Sequence, residues 1–419
     1  MYDHQNCSRR KTWLRWIISW QGRIGLQRYS DTIGLIADDF TGAMDSGAQF
    51  AQIGLPTRLA LKEVGQGPVE IINTASREIA ESEAVERCLR AARRLAGRKL
   101  FKKIDSTLRG HIGSEIEAVL QVSNYRKAVV CPTVPLQGRV VRDGQLFVDN
   151  RLLQDSAFQN DPSFPAQTAL VSKIINRSIA YLSLQAVRQP DSVLTRTIAA
   201  MPEAIVIADA ETQDDLSNIS RAIIHGNFLP CGAFGLAQAW AQELSGQKSA
   251  LPPSKLPHDW GAALVIIGSA NAVTHNQIQA ITQQGENLVW KIEPQFSGKQ
   301  EEELLEEIAS SWPEHGARVL CSAQKVLMDE TWRNISHTIS QLAAKLLQKI
   351  HPAYLVIVGG ETASYLCKLL QVDAVSILGE ITPGIPCGRF IGGRADGTLV
   401  VTKAGGFGEP NCLAKILFP

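Results

Sequence analysis

A polar loop in the first half of the chain carries side chains that could bind a charged small molecule. It contains Asp105, Ser106, Thr107 and Arg109, and it directly follows Lys103. One carboxylate, two hydroxyl groups and neighbouring cations suit a small, polyhydroxylated anion. The simpler alternative is an ordinary helix start, with Asp105 or Ser106 as N-cap and Arg109 in solvent. This loop alone leaves the two interpretations equally open.

A second loop near the start of the chain places two carboxylates side by side. Asp38 and Asp39 follow an apolar run over 32–37 that predicts a buried strand. Adjacent carboxylates repel and raise one another's pKa unless a cation or a substrate hydroxyl lies between them. Thr41 and Gly42 leave the N-terminus of the following helix open to a ligand. The alternative is an Asp N-cap with a second aspartate in solvent.

Further polar residues follow other predicted strands. Ser76 and Arg77 come after a strand at 69–73, and Arg139 follows one at 128–131. The alternation of strand, loop and helix predicts a parallel, doubly wound sheet whose loops gather at one edge. No single loop is specific, but their agreement in position and chemistry predicts a binding site.

In the second half of the chain, predicted strands are again followed by loops, but these loops are rich in glycine instead of charged residues. One predicted strand ends in Gly268-Ser269, another in Gly359-Gly360-Glu361-Thr362, and a third glycine cluster covers 402–408. Glycine lets backbone N–H groups approach an anion closely, and a helix N-terminus adds partial positive charge. The P-loop and Gly-x-Gly-x-x-Gly patterns are absent from the sequence. We therefore predict a nucleotide-phosphate site of another kind, with ordinary tight turns as the alternative.

A chain of 419 residues is too long for one typical core and favours two domains. A segment rich in Pro, Ser and Lys at 246–257 predicts the linker. We expect an α/β fold with an N-terminal domain at 31–245 and a C-terminal domain at 258–419. Each would be a mostly parallel sheet flanked by helices, with the active site in the cleft between them. Residues 1–30, rich in Trp and Arg, are interpreted as a poorly ordered leader or a start codon placed too far upstream.

The composition of the chain limits which binding partners and which cellular compartment we expect. The formal net charge of +1 gives no electrostatic case for nucleic acid or an anionic membrane as main partner. The apolar stretch at 13–20 is too short to span a bilayer. Eight cysteines without a Cys-x-x-Cys pair argue against a disulfide framework or a zinc site. We expect a cytoplasmic protein; its oligomeric state, a homodimer included, stays open.

With these residues assembled, the sequence resembles the four-carbon acid sugar kinase family. The resemblance covers Thr32 to the C-terminus, and its motifs occur in order across both halves. They are Ala37-Asp-Asp-Phe-Thr-Gly42, Lys103-Ile-Asp-Ser-Thr-Leu-Arg-Gly110, Gly359-Gly-Glu-Thr362, Pro383-Gly-Ile-Pro-Cys-Gly388 and Lys403-Ala-Gly-Gly-Phe-Gly408.

The resemblance implies an acid-sugar domain followed by an ATP domain. The γ-phosphate of ATP would pass to the 4-hydroxyl of a tetronate, most of all D-threonate. Kinases for D-erythronate or 3-oxo-tetronate, a dehydrogenase or dehydratase, and a non-catalytic sugar-acid sensor are the alternatives. The ATP contacts are expected at Ser269, Gly359, Gly360, Glu361, Thr362, Gly405 and Gly406. The acid is expected to contact Asp38, Asp39, Ser76, Arg77, Lys103, Asp105, Ser106, Arg109 and Arg139.

The expected mechanism is in-line phosphoryl transfer. Arg77 and Arg109 would grip the substrate carboxylate, and either Asp38 or Asp105 would accept the proton of the hydroxyl. Mg²⁺ and the glycine loops would hold the β- and γ-phosphates, with metal ligands unknown. Closure of the two domains would exclude water.

Overall fold

The computed structural model describes residues 32–161, 164–246, 261–269, 271–283, 289–293, 298–322 and 331–418. We call 32–246 the front half and 261–418 the back half. The leader predicted at 1–30 lies outside the described residues, as does all but the first residue of the linker predicted at 246–257.

The front half is built on a parallel sheet with the strand order β2-β3-β1-β4-β11-β5-β10-β9. A separate antiparallel sheet is formed by β6, β7 and β8. The strands are β1 (Ile33–Ala37), β2 (Thr57–Ala60), β3 (Val69–Asn73), β4 (Lys99–Lys103), β5 (Ala128–Cys131), β6 (Arg139–Arg142), β7 (Gln145–Val148), β8 (Arg151–Leu152), β9 (Ile179–Leu182), β10 (Ile205–Ala208) and β11 (Leu229–Gly232).

Helices of the front half follow these strands in the expected alternation. They are α1 (Phe40–Gln52), α2 (Glu81–Arg94), α3 (Ile112–Val122), α4 (Val171–Ile175), α5 (Leu184–Val187), α6 (Asp191–Ala200), α7 (Gln213–Gly226) and α8 (Phe234–Ser245). Every residue of α1 is buried. Its sequence is rich in glycine, alanine and serine, which allows neighbours to pack closely on all its sides.

The back half has a second parallel set of strands in the order β13-β14-β12-β15-β18, which continues through β17 and β16. The strands are β12 (Ala262–Ile267), β13 (Val289–Ile292), β14 (Gly316–Ser322), β15 (Tyr354–Val358), β16 (Ala374–Thr382), β17 (Ile385–Ile391) and β18 (Leu399–Lys403). The helices are α9 (Ala272–Thr282), α10 (Lys299–Ser310), α11 (Thr331–Leu346), α12 (Gly360–Leu369) and α13 (Cys412–Leu417).

The hairpin of β16 and β17 joins the two halves into one sheet. β16 pairs with β2 through antiparallel partners that run from Ala374–Ala60 to Ile377–Thr57, and β17 pairs with β18. Two register shifts in β16 follow Ile377, and such irregularities increase the local twist of a strand. One cluster of buried hydrophobic residues extends from Ile33 to Val400 and so includes both halves.

The predicted α/β fold, with large parallel sets of strands flanked by helices, is confirmed. The two parallel sets of strands are continuous, because the hairpin pairs with an edge strand of the front half. All seven described cysteines are free thiols. Within the described ranges, the helices are too short or too polar to cross a membrane.

Candidate functional site

Three neighbouring strands carry the charged residues of the front half. Asp38 and Asp39 follow β1, Arg77 follows β3, and the loop from Asp105 to Arg109 follows β4. These strands are adjacent in the order β3-β1-β4 and parallel, so their carboxyl ends meet at one edge of the sheet. The structure therefore brings together the side chains that the sequence placed in separate loops.

Arg77 lies at the centre of this group. Its Nε donates to Asp38 Oδ2 at 2.7 Å, and its Nη2 donates to Asp39 Oδ1 at 2.9 Å. The same Nη2 lies 3.6 Å from Asp105 Oδ1. Burial alone would raise the pKa of Asp39, but Arg77 and Lys103 hold it below its usual value. The paired carboxylates are thus explained by the cation between them.

The 105–109 loop is held by its own ion pair. Arg109 donates from Nε to Asp105 Oδ2 at 2.8 Å and from Nη2 to Asp105 Oδ1 at 3.0 Å. Its Nη1 donates to Asp161 Oδ2 at 3.2 Å. Burial would raise the pKa of Asp105, yet Arg109 and Arg77 keep it well below its usual range. Thr107 also donates to Asp105, through its hydroxyl at 2.5 Å.

Ser76 and Lys102 belong to a buried network behind this group. The Ser76 hydroxyl donates to Glu115 Oε1 at 2.5 Å, and Lys102 Nζ lies 2.7 Å from Glu115 Oε2. Both side chains are fully buried. The network lies behind the loops and supports them. The Ser76 hydroxyl is used in its hydrogen bond to Glu115.

Lys103 lies against the start of α1. A Cβ added to Gly42 would lie 2.5 Å from both Lys103 Nζ and Asp39 Oδ1, so a side chain here would displace the ends of those two side chains. Lys103 Nζ donates to the carbonyl of Ile104 at 2.9 Å and forms no ion pair with a described residue. It is 4% exposed, and Ser106 beside it is 6% exposed.

Arg139 belongs to a lobe around β6, β7 and β8, formed by residues 134–161 and 164–170. Asp209, at the end of β10, accepts hydrogen bonds from the backbone of Asp143 at 2.8 Å and Gly144 at 3.0 Å. Asp209 therefore fixes the turn of the lobe. Arg139 lies over the ring of Phe158, 5.9 Å from its centroid.

The glycine-bearing loops of the back half also meet at adjacent strands, β12-β15-β18. Gly359 has φ +113° and precedes α12, whose N-terminus has no side-chain cap. The Thr362 hydroxyl lies 2.8 Å from the Ser336 hydroxyl behind that N-terminus. Glu361 is partly exposed, and His337 Nε2 lies 3.6 Å from its carboxylate. The first N–H groups of α12 are therefore not taken by a side-chain cap.

The 402–408 cluster packs against the start of α9. A Cβ added to Gly405 would lie 2.0 Å from Ser269 Oγ, and one added to Gly406 would lie 3.5 Å from Asn271 Nδ2. Thr274 Oγ1 donates to the Gly405 carbonyl at 2.8 Å. Lys403 is fully buried, and burial lowers its pKa to about 8. The loops after β12 and β18 thus form one surface.

The charged loops and the glycine loops meet each other. A Cβ added to Gly360 would lie 3.0 Å from Asp39 Oδ2 and 3.5 Å from Thr41 Oγ1. On the other side, the guanidinium of Arg139 lies 5.7 Å from the centroid of the Phe407 ring. The two predicted sets of residues therefore meet at one place between the halves, where the sequence predicts a gap for the substrates.

Several residues around this gap were not singled out by the sequence. Asp161 and Phe158 contact the predicted arginines from a segment without any motif. Asp45 and Glu380 are buried carboxyls at the junction of α1 and β16, and burial raises the pKa of each to about 7. Asp45 lies on α1, three residues after the Ala37–Gly42 motif, and is a charged residue in an otherwise uncharged helix.

Comparison with known domain families assigns a different family to each half of the chain. A family described as "Sugar-binding N-terminal domain" matches residues 33–240. A family described as "Nucleotide-binding C-terminal domain" matches residues 264–413. The charged loops fall in the first range and the glycine loops in the second.

Curated relatives cover nearly the whole chain. The chain is 32% identical to a Bordetella bronchiseptica protein named D-threonate kinase, over 91% of this chain and 96% of the relative. It is 30% identical to a Heliobacterium modesticaldum protein named D-erythronate kinase, over 88% and 93%. It is 27% identical to a Pseudomonas fluorescens protein named 3-oxo-tetronate kinase, over 92% and 96%.

A solved structure shares the fold. A Haemophilus influenzae protein of family DUF1537 superposes with a TM-score of 0.67 at 23% identity. The superposition covers 90% of this chain and 97% of that chain. The architecture of both halves is therefore common to the two proteins.

Proposed function

This chain belongs to the four-carbon acid sugar kinase family, and on that premise we propose that it transfers the γ-phosphate of ATP to the 4-hydroxyl of D-threonate. The observation that carries the proposal is the approach of Gly360 to Asp39, because it joins a phosphate-type loop to an acid-sugar-type loop. A kinase needs the two substrates held in line across such a gap.

Asp38 is the proposed proton acceptor. Its Oδ2 holds Arg77, while its Oδ1 is buried without a hydrogen-bond partner among the described residues. Both oxygens of Asp105, in contrast, accept hydrogen bonds from Arg109. A buried, unpartnered carboxylate oxygen fits the task of orienting a hydroxyl and taking its proton. We therefore favour Asp38 over Asp105 as the proton acceptor.

Arg77 and Arg109 are proposed as positioning residues. Their guanidinium groups are largely occupied by carboxylates of the chain, and these ion pairs keep the loops in place. Lys103, which lacks such a carboxylate, is the proposed partner of the substrate's own carboxylate. This differs from the expectation that the two arginines grip the acid.

Mg²⁺ is proposed to enter with ATP. Groups of three or more His, Cys, Asp or Glu side chains suited to a metal ion do not occur among the described residues. Mg²⁺ is often bound by one or two carboxylates together with substrate phosphates. Asp39 Oδ2, beside Gly360, suits such a single contact. When bound, the ion would neutralise phosphate charge.

The backbone of Gly359–Thr362, with Ser269 and Gly405, is proposed to hold the phosphates of ATP. The uncapped N-terminus of α12 offers N–H donors and a favourable dipole to an anion. We also propose the domain limits 31–245 and 258–419. We further propose a cytoplasmic location, because ATP is available there.

The substrate is tested by an ATP-consumption assay over the C4 acids D-threonate, D-erythronate and their 3-oxo forms. We expect the highest kcat/KM for D-threonate, with the 4-phosphate identified as product by mass spectrometry. Preference for another acid would replace the substrate but keep the kinase. Binding of acids without any ATP turnover would favour the sensor and contradict the proposal.

A further inference from the structure

Arg139 lies where the two halves meet. It is the first residue of β6, and its guanidinium lies near two aromatic rings. One ring is Phe158 of the lobe, at 5.9 Å, and the other is Phe407 of the back-half glycine cluster, at 5.7 Å. Contact with rings from both halves holds the guanidinium where the halves meet.

The charge of Arg139 has no paired carboxylate in the part of the chain that the structure describes. Arg77 and Arg109 both pair with aspartates, whereas Arg139 forms no ion pair with any residue that the structure describes. Its Nη1 donates to the carbonyl of Gln137 in its own loop, and its Nε is buried without a partner. The residue is 8% exposed.

A buried cation of this kind is unfavourable for the folded protein unless an anion completes it. Burial lowers the pKa of Arg139, and the charges of Asp149 and Asp105 oppose that effect only from a distance. The unpaired donors therefore point to an anionic ligand that binds between the lobe and the glycine cluster.

We propose, on the basis of the kinase function proposed above, that the guanidinium of Arg139 binds the γ-phosphoryl group while it is transferred. The 4-hydroxyl oxygen of the acid attacks the γ-phosphorus, and its proton passes to the Asp38 carboxylate. The bond between the γ-phosphorus and the β,γ-bridging oxygen breaks, and its electron pair stays on ADP. Arg139 makes and breaks no covalent bond.

The location separates this role from ground-state binding of the acid. Charge spreads over the oxygens of the transferring group in the transition state, so a cation placed there acts on kcat. A residue that only binds the substrate carboxylate acts on the KM for the acid instead. The sequence alone had placed Arg139 among the acid-binding residues.

The test compares Arg139→Ala and Arg139→Lys with a matched control, Arg142→Ala. Arg142 lies on the same strand and also stacks on a ring, that of Phe147, but it is exposed and paired with Glu211. We expect Arg139→Ala to lower kcat at least about a hundredfold. KM for each substrate should stay within about threefold of the wild-type value. Arg142→Ala should keep wild-type turnover.

Three further readouts separate catalysis from folding. Guanidinium ion added at millimolar concentration should restore part of the kcat of Arg139→Ala. Arg139→Lys should stay impaired, because an ammonium group lacks the planar fork of donors. The melting temperature of Arg139→Ala should equal or exceed that of the wild type, since a buried unpaired charge is removed.

A kcat within about threefold of wild type in either variant would overturn the assignment, as would a tenfold or larger rise in the KM of the acid at unchanged kcat. A large fall in melting temperature without rescue by guanidinium would assign Arg139 to structure instead. If the wild-type protein phosphorylates none of the acids, the assignment falls together with the kinase proposal. If only the variants behave unexpectedly, the kinase proposal stands.

Discussion

At the scale of single residues, the site is a balance of buried charges. Arg77 binds Asp38 and Asp39, and Arg109 binds Asp105 and Asp161, so these side chains neutralise one another. Two buried atoms of this site have no hydrogen-bond partner among the described residues: Asp38 Oδ1, on an acidic side chain, and Arg139 Nε, on a basic one. We expect the function of this site to depend on these groups, because the other charged side chains are occupied in ion pairs.

Replacement of Asp38 by asparagine should separate the two candidate bases. We expect Asp38→Asn to lower kcat by about 10²- to 10⁴-fold, because the amide cannot accept the proton. The amide oxygen can still accept from Arg77, so the fold should persist. Steady-state kinetics with saturating ATP and the preferred acid measure the effect.

Asp105→Asn is the matched comparison. Asp105 positions Arg109 and Thr107, so its replacement should raise the KM of the acid and lower the melting temperature more than it lowers kcat. A loss of turnover confined to Asp105→Asn, with Asp38→Asn fully active, would reverse the assignment.

Sequence could predict which residues meet at the site but not how they share charge. Asp38, Arg77, Asp105 and Arg109 follow strands, and the shared edge of a parallel sheet brings strand ends together whatever their order. Pairing depends on side-chain directions and on partners from distant segments. Asp161, which occupies Arg109, lies beyond the lobe strands and has no motif to mark it.

At the scale of elements, the phosphate-type loop depends on a backbone shape at the start of α12. Gly359 has φ +113° and ψ 130°, a combination that residues with a Cβ rarely adopt. The next residue, Gly360, comes close to Asp39 and Thr41 of the front half, because a Cβ added to it would lie 3.0 Å from Asp39 Oδ2 and 3.5 Å from Thr41 Oγ1. The turn and the close contact are therefore one feature.

We expect Gly359→Ala to cost about 1–3 kcal/mol of unfolding free energy and to weaken ATP binding at least about tenfold. Gly397→Ala is the matched control, because Gly397 also has a positive φ, +78°, with open space around it. It should lose stability without losing ATP affinity. Denaturant unfolding and calorimetric titration with ATP measure the two effects, and equal ATP affinity in both variants would contradict the role of Gly359.

Most elements were predictable because their local patterns are strong. The strands at Val69–Asn73 and Ala128–Cys131 have the predicted limits. The hairpin of β16 and β17 was not predicted. Its pairing with β2 joins residues more than 300 positions apart, which no local period can reveal.

At the scale of the whole molecule, two carboxyls lie buried in the junction between the halves. Glu380 on β16 accepts from Gln49 Nε2 of α1 at 2.8 Å, and from the backbone of Gly384 at 3.0 Å. Burial raises the pKa of Glu380 to about 7, and the nearby Asp45 charge adds to the effect. Burial likewise raises the pKa of Asp45 to about 7.

Stability should therefore fall as pH rises from about 4.5 to about 7. In that range the folded protein retains protons on Asp45 and Glu380 that the unfolded chain has released, and each group contributes up to about 1.4 kcal/mol per pH unit. The lowered pKa values of Asp39 and Asp105 act below this window, and the lowered pKa of Lys403, about 8, acts above it. Denaturant unfolding at a series of pH values measures the slope.

Glu380→Gln should reduce that slope and make the protein more stable than wild type at pH 8. Glu409→Gln, at an exposed position, is the control and should leave the slope unchanged. A wild-type stability that rises steadily from pH 5 to pH 8 would contradict the burial of protonated carboxyls in the junction.

The pairing of β2 with β16 also limits how this protein can be recombined with its relatives. A chimera joined between residues 246 and 261 would set a foreign hairpin against α1, so Gln49 and Glu380 would come from different parents. The two halves therefore cannot be exchanged independently of each other, although their sequences predict separate domains. Specificity is better transplanted loop by loop, with α1 and the hairpin inherited together.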